Sequence, residues 1–187
     1  NPGHPIPPQT RAIHHISDAD VVGAVTPTEG TTSLMNGMEP GDMFAAHNMA
    51  FEREFFGGGS FPWICTLKCA QHLFPDAPSH SNQVLRYWLG VDQDAGFDVN
   101  LAMPPHRAGP DTYVSAFLLR RLLMLAPPAE LHRLSFAPVL LRKISFGKHR
   151  GQDFTELPTS YLQWMVGQQF DADVLHTARH HLRERGL

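Results

Sequence analysis

A histidine and an aspartate stand five residues apart in the stretch PPHRAGPDTYVSAFLLRRLL, as His106 and Asp111, ahead of an apolar run with helical spacing. A carboxylate in the first turn of a helix can face a cleft and bind a hard divalent cation. A histidine one turn away can take a proton from a water on that cation. Two-metal phosphoryl hydrolysis needs such parts: carboxylates to hold the ions and a base beside the attacking water. The same pair also suits a plainer arrangement, with Asp111 complementing the helix dipole and His106 as a loop residue. A second carboxylate, Glu52 in AAHNMAFEREFF, follows an apolar run that reads as a buried strand. Open α/β sheets place ligands beyond the C-terminal ends of their strands, so Glu52 is a candidate ligand there, and otherwise a solvated helix residue. A third piece, QTRAIHHISDAD, sets His14 and His15 ahead of a helix start, where an anionic phosphate can dock; two exposed histidines is the alternative.

The elements that must position these residues are short. DMFAAHN and FPWICTL read as buried strands, MAFEREFF and KCAQHLF as helical segments. SHSNQVLRYWLG reads as a helix with Leu85, Trp88 and Leu89 on one face and Gly90 at its C-terminal cap. DTYVSAFLLRRLLML gives the strongest helix, ended by Pro127 and Pro128. Residues 1–16 read as extended and proline-rich, and SDADVVGAV as a short helix with Ser17 as N-cap and Asp20 at the capping-box position. Residues 26–41 read as a loop. The alternation implies an α/β core. Two short strands do not make a stable sheet, which leads to the expectation that part of the sheet lies outside this sequence.

Composition shifts near residue 134. Residues 142–187 hold seven Lys/Arg and five Asp/Glu, while the first 141 hold eight and thirteen. KISFGKHRGQDFTELPTSYLQWMV reads as a tight β-turn and then a helix begun near Pro158, with Tyr161, Trp164 and Met165 facing inward. A His/Arg-rich helix closes the chain. A small second module is therefore expected over 142–187, after a main domain over 1–133.

The 187 residues suit one ordinary domain with an appendage, and 42% hydrophobic and 18% charged residues suit a globular core. No apolar run has the length of a membrane span, and the polar, proline-rich start lacks signal-peptide features. The formal net charge of −3 provides no global basic field, so a polyanion must be held by local groups or metal ions. Cys65 and Cys69, spaced C-x-x-x-C, fit buried thiols in a reducing compartment, which places the protein in the cytoplasm.

Taken in order, TRAIHHISDADV, AHNMAFEREF, WICTLKCAQHLFPDAPSHSNQVLRYWLG and PHRAGPDTYVSAFLLRRLL resemble the DEDDh 3′–5′ exonucleases. Within them the chain is most similar to the exodeoxyribonuclease X type, whose catalytic domain is followed by a module with an FGKxRG…LPxxYLxW pattern. Here that pattern stands as Phe146, Gly147, Lys148, Arg150, Gly151, Leu157, Pro158, Tyr161, Leu162 and Trp164. The resemblance implies a ribonuclease-H-like α/β fold and a small C-terminal α+β module. It implies hydrolysis at nucleic-acid 3′ ends, with single-stranded or frayed DNA as partner and two Mg²⁺ or Mn²⁺ ions as cofactors. By motif, His106 is the general base, and Asp111 and Glu52 are metal ligands, with Glu52 where the family usually has Asp. His14, Asn48 and Phe51 shape the pocket of the 3′-terminal nucleotide. The family's first motif, a strand carrying D-x-E, has no counterpart: no D-x-E occurs in the sequence. The expectation is an exonuclease fold lacking its first strands, in a chain that is N-terminally incomplete and inactive alone. The alternative is a non-catalytic adaptor that binds nucleic acid or protein.

Overall fold

The computed structural model describes all 187 residues. Its central element is a pair of parallel strands, β1 (Phe44–Ala46) and β2 (Trp63–Cys65), with Phe44 opposite Trp63 and Ala46 opposite Cys65. All three residues of β2 are buried, as expected of a parallel strand covered on both faces. The helices around them are α1 (Pro8–His14), α2 (Pro27–Asn36), α3 (Met49–Phe55), α4 (Thr66–Leu73), α5 (Asn82–Trp88), α6 (Ala108–Leu123) and α7 (Pro128–Phe136). The result is a mixed α/β body with a short parallel sheet and many helices.

A two-stranded sheet exposes backbone donors and acceptors on both outer edges, and these need partners. The edge of β2 finds them on α7. The Cys65 N–H donates to Ser135 Oγ at 2.7 Å, Ser135 Oγ donates to the Leu131 carbonyl at 2.7 Å, and His132 Nδ1 donates to the Trp63 carbonyl at 2.8 Å. α7 thus occupies the place of a third strand. Its apolar side, Leu131 and Leu134, joins Ile64, Cys69, Leu122 and Ala126 in one buried cluster. A second cluster unites α4, α5 and α6 through Ala70, Leu85, Val114, Phe117 and Leu118.

The C-terminal part has a core of its own. Ile144, Phe154, Leu157, Leu162, Met165, Val174, Ala178 and Leu182 bury one another between α8 (Thr159–Val166), α9 (Ala172–Glu184) and a 3₁₀ turn at Phe154–Glu156. The β component here is a single antiparallel bridge, Lys143 to Asp153. Asp173 of α9 fastens this unit to the body: it pairs with Lys68 of α4 at 2.6 Å and accepts the Val139 N–H at 2.9 Å.

Several expectations are corrected. Residues 1–16 are not wholly extended, since α1 occupies Pro8–His14. Residues 26–41 are not a loop: Thr26 and Glu29 form a capping box that starts α2 at Pro27. Pro128 is expected to end the preceding helix, yet a proline whose missing N–H is not needed starts a helix as readily as it ends one, as Pro27 also does for α2. Pro128 accordingly opens α7, a helix not expected from the local residues. Ser17 and Asp20 do bond, but the segment is a 3₁₀ turn at Ala19–Val21. Trp88 and Trp164 do not face inward. They are 44% and 48% exposed, because Leu85 and Met165 take the buried positions of their helices.

Ser135→Ala removes the acceptor of a buried N–H and leaves Cys65 unpaired at the sheet edge. Urea denaturation should show a loss of about 1–3 kcal/mol, with the m-value unchanged.

Candidate functional site

Three residues other than glycine adopt left-handed backbone angles: His15 (φ 56°), Asn48 (φ 69°) and His106 (φ 65°). They fall one in each of the segments IHHI, AHN and PHR. Asn and His are among the residues that enter this region most readily, and such conformations gather at functional sites.

Each angle has a local purpose. His15 ends α1 and returns its N–H to the Arg11 carbonyl. Asn48 turns the chain from β1 directly into α3, putting Glu52 in the helix's first turn. His106 follows a cis Met103–Pro104 bond and swings the chain into α6, whose N-cap is Arg107 and whose first turn carries Asp111.

Side chains then tie the segments together. Arg107 Nε donates to the His14 carbonyl at 3.0 Å, and its Nη2 to the His15 carbonyl at 3.1 Å. The His14 ring accepts the Ile16 N–H at 3.0 Å. Asp20, exposed nearby, is held below the usual carboxylate range by hydrogen bonds from the Ser17 N–H and hydroxyl, with the charges of Arg107 and Arg11 adding to this. On the other side of α6, Asn82 Nδ2 donates to the Asp111 carbonyl at 2.9 Å and lies 3.2 Å from Ser115 Oγ.

His47, the residue after β1, is the half-buried titratable group that joins this region together. Its Nε2 donates to the His80 carbonyl at 2.9 Å, and its Nδ1 lies 3.0 Å from Thr66 Oγ1. Burial pushes its pKa down, opposed in part by the bond to His80 and by the negative charge of Asp111. A neutral imidazole therefore joins the end of β1 to the start of α4 and to the turn before α5, in the field of Asp111.

Of the residues singled out by sequence, the structure groups His14, His106 and Asp111 around the start of α6. His106 is exposed and Asp111 half-buried. Glu52 and Phe51 lie on the solvent side of α3, with Phe51 53% exposed and packed on Phe55 at a ring distance of 5.0 Å. Asn48 is exposed between them and β1. Arg107, Asn82 and His47 have no sequence signal of their own, although all three sit inside the motif segments. Their roles are made by backbone carbonyls distant in sequence, which residue spacing does not reveal.

The donor set is thin for two ions. Nowhere do three or more His, Cys, Asp or Glu side chains converge in a way that could hold a metal. Two carboxylates supply few of the about six oxygen ligands that each hard cation takes, and no bridging carboxylate is present. These residues by themselves do not fit a two-ion centre.

The chain is homologous to exodeoxyribonuclease 10 of Escherichia coli strains K12 and CFT073, 29% identical to each over 192 residues that cover 97% of this chain and 81% of theirs. Among solved structures it resembles exonuclease X in complex with 5′ overhanging duplex DNA. The TM-score is 0.58 at 26% identity, over 71% of this chain and 76% of that one. A family model described as a putative quorum-sensing-regulated virulence factor matches residues 134–178.

Two outcomes test the site. Arg107→Ala should release the His14–His15 carbonyls and raise amide exchange across Pro8–Ile16 several-fold. Arg107→Lys should not restore protection, because an ammonium cannot span both carbonyls as the guanidinium fork does. For His47 the sign follows from its lowered pKa. Below about pH 6.5 the unfolded chain binds a proton that the folded chain refuses, so stability falls as pH drops from there toward the folded pKa, and no effect remains above it. His181, lowered by burial and by the charges of His180 and Arg185, adds to this slope. Urea midpoints from pH 7.5 to 5.5 should fall less steeply in His47→Gln, and less again in His47→Gln with His181→Gln.

Proposed function

We propose that this chain is the second- and third-motif part of a 3′–5′ DNA exonuclease of the DEDDh type, acting on phosphodiester bonds at single-stranded or frayed 3′ ends. The observation that carries the reading is the convergence of the IHHI segment and the PHRAGPD segment through Arg107, in a chain homologous to exodeoxyribonucleases. His106 is the general base: its exposed ring stands on a turn fixed by Arg107 on one side and α6 on the other, free to take a proton from an attacking water. Asp111 and Glu52 are the carboxylates for Mg²⁺ or Mn²⁺, which in a complete set would polarise the phosphate and the water. His14, Asn48 and Phe51 line the approach of the terminal nucleotide, where Phe51 offers an exposed ring for a base to stack on.

Because the donor set falls short of a two-ion centre, the 187 residues require further carboxylates for turnover. The same shortfall favours one other reading, a non-catalytic adaptor that keeps the nucleic-acid- or protein-binding surface without the chemistry.

The purified 187-residue polypeptide should not measurably shorten 5′-labelled single-stranded DNA in Mg²⁺. Joined to a D-x-E strand segment from an exodeoxyribonuclease, it should digest from the 3′ end, and His106→Ala should lower that rate by about 10²-fold or more. Mg²⁺-dependent digestion by the 187 residues alone would overturn the need for added carboxylates. An extended polypeptide without activity would turn the reading to the adaptor.

A further inference from the structure

The C-terminal unit carries a row of aromatic rings along the rim of its core: Phe146, Tyr161 and Phe170 pack against the core with part of their surface, and Trp164 does not. Phe146 stacks on Phe170 at 4.8 Å between centroids, Phe170 meets Trp164 edge-on at 5.8 Å, and Trp164 stacks on Tyr161 at 5.2 Å. His149 meets Tyr161 edge-on at 4.5 Å, and Lys148 Nζ lies 5.5 Å from the centre of the Tyr161 ring. Five rings thus form one continuous row, from the turn before Phe154 to the end of α8. Trp164 is 48% exposed, and the other four are half-buried, so each keeps part of its surface in water.

The row is a built feature. Gly147 (φ 66°) lets the turn pass so close to Tyr161 that a Cβ there would lie 3.0 Å from the tyrosine hydroxyl. Leu162 and Met165 of α8 are fully buried in the core, Tyr161 packs against it from the rim as the sequence leads one to expect, and Trp164 lies outside it.

Cations predominate in the two segments that carry the row, with Asp153, Glu156 and Asp171 at their ends. Residues 144–152 hold Lys148, His149 and Arg150 and no carboxylate, and residues 157–170 hold no charged residue at all. Asp171, next to Phe170, is engaged in capping α9, accepting the Val174 N–H at 2.9 Å. Asp153 lies 3.9 Å from Arg142. Lys148 and Arg150 are exposed and make no ion pair. Exposed ring faces beside unpaired cations are what an unpaired nucleobase and its phosphates require, as stacking is tolerant of base identity and the backbone needs only positive charge.

We propose that this row is a second DNA contact, separate from the exonuclease site: single-stranded DNA stacks its bases on Trp164 and its neighbouring rings while Lys148 and Arg150 hold its phosphates. The choice of DNA rests on the function proposed above, whereas the surface itself rests on the rings and charges alone.

The test uses the full 187-residue chain in EDTA, so that hydrolysis is silent, with fluorescein-labelled (dT)₁₂ followed by anisotropy at about 50 mM salt. Trp164→Ala should weaken binding about 10-fold, and Trp164→Phe should retain most of it, because a phenyl ring also offers a face for base stacking. Lys148→Ala with Arg150→Ala should weaken binding and flatten its salt dependence. In a Trp88→Phe background, where Trp63 is buried, (dT)₁₂ should quench Trp164 fluorescence. If Trp164→Ala binds like the parent while His14→Ala with Phe51→Ala loses binding, the DNA lies at the exonuclease site only: the inference falls and the proposed function stands. Absence of any binding by the parent chain also overturns the inference, and the digestion assay judges the function independently.

Discussion

The hydrogen bonds from Ser135 and His132 to the outer edge of β2 are the constraint on which the rest of the body depends. A three-residue parallel pair gains few ladder bonds and cannot persist in water alone. With Cys65 N–H and the Trp63 carbonyl partnered by α7, β2 is satisfied on both edges and can be buried on both faces. Once β2 is fixed, β1 follows by register, and the residues just beyond β1, His47 and Asn48, acquire fixed positions. His47 then ties that point to α4 and to the turn ahead of α5. Asn82 at the start of α5 reaches back to the Asp111 carbonyl. The start of α6 is thus held through a chain of polar contacts that begins at α7.

Much of this was legible in the sequence. The two strands, α3 through α6 and the C-terminal helix pair follow from apolar runs and their periods. What escaped was set by tertiary partners. Pro27 and Pro128 look the same as chain breaks, and only the groups that satisfy the helix start tell the two uses apart. Trp88 and Trp164 lie on the apolar faces of their helices, yet smaller neighbours fill the core and leave the indoles half in water. Arg107 offers a guanidinium next to a motif histidine, but its partners are carbonyls more than 90 residues away. His47 is one of twelve histidines, and its burial between Thr66 and His80 has no local signature.

The candidate site shows the same division. His106 and Asp111 are legible because a helix start fixes their relation. The relation of Glu52 to them is set by β1, by Asn48 in its left-handed turn and by the exposed face of α3, and the carboxylate projects into solvent, not into a closed donor cage. A site of that kind holds a cation weakly by itself and gains most from additional ligands or from a bound phosphate, since Mg²⁺ typically combines one or two carboxylates with phosphate oxygens and water. The electrostatics agree. His47, its pKa lowered by burial, adds no positive charge that would repel a cation beside Asp111, and the Arg107 guanidinium is directed at backbone carbonyls.

The C-terminal unit is tied to this body chiefly through Asp173, with an exposed ion pair between Arg142 and Asp76 at 3.6 Å beside it. Asp173 pairs with Lys68 on α4 and also accepts the Val139 N–H, while Thr177 one turn on accepts the Leu141 N–H. The connecting segment is therefore fastened to α9 and to α4 together, so the aromatic row is carried in a defined orientation to the body and does not swing on a free linker. Both partners of the ion pair are largely shielded, at 26% and 17% side-chain exposure, so salt screens it less than a surface pair. A surface that captures a strand on such a mount acts at a fixed distance from the start of α6. The ion pair thereby sets the distance and orientation of the aromatic row relative to the start of α6.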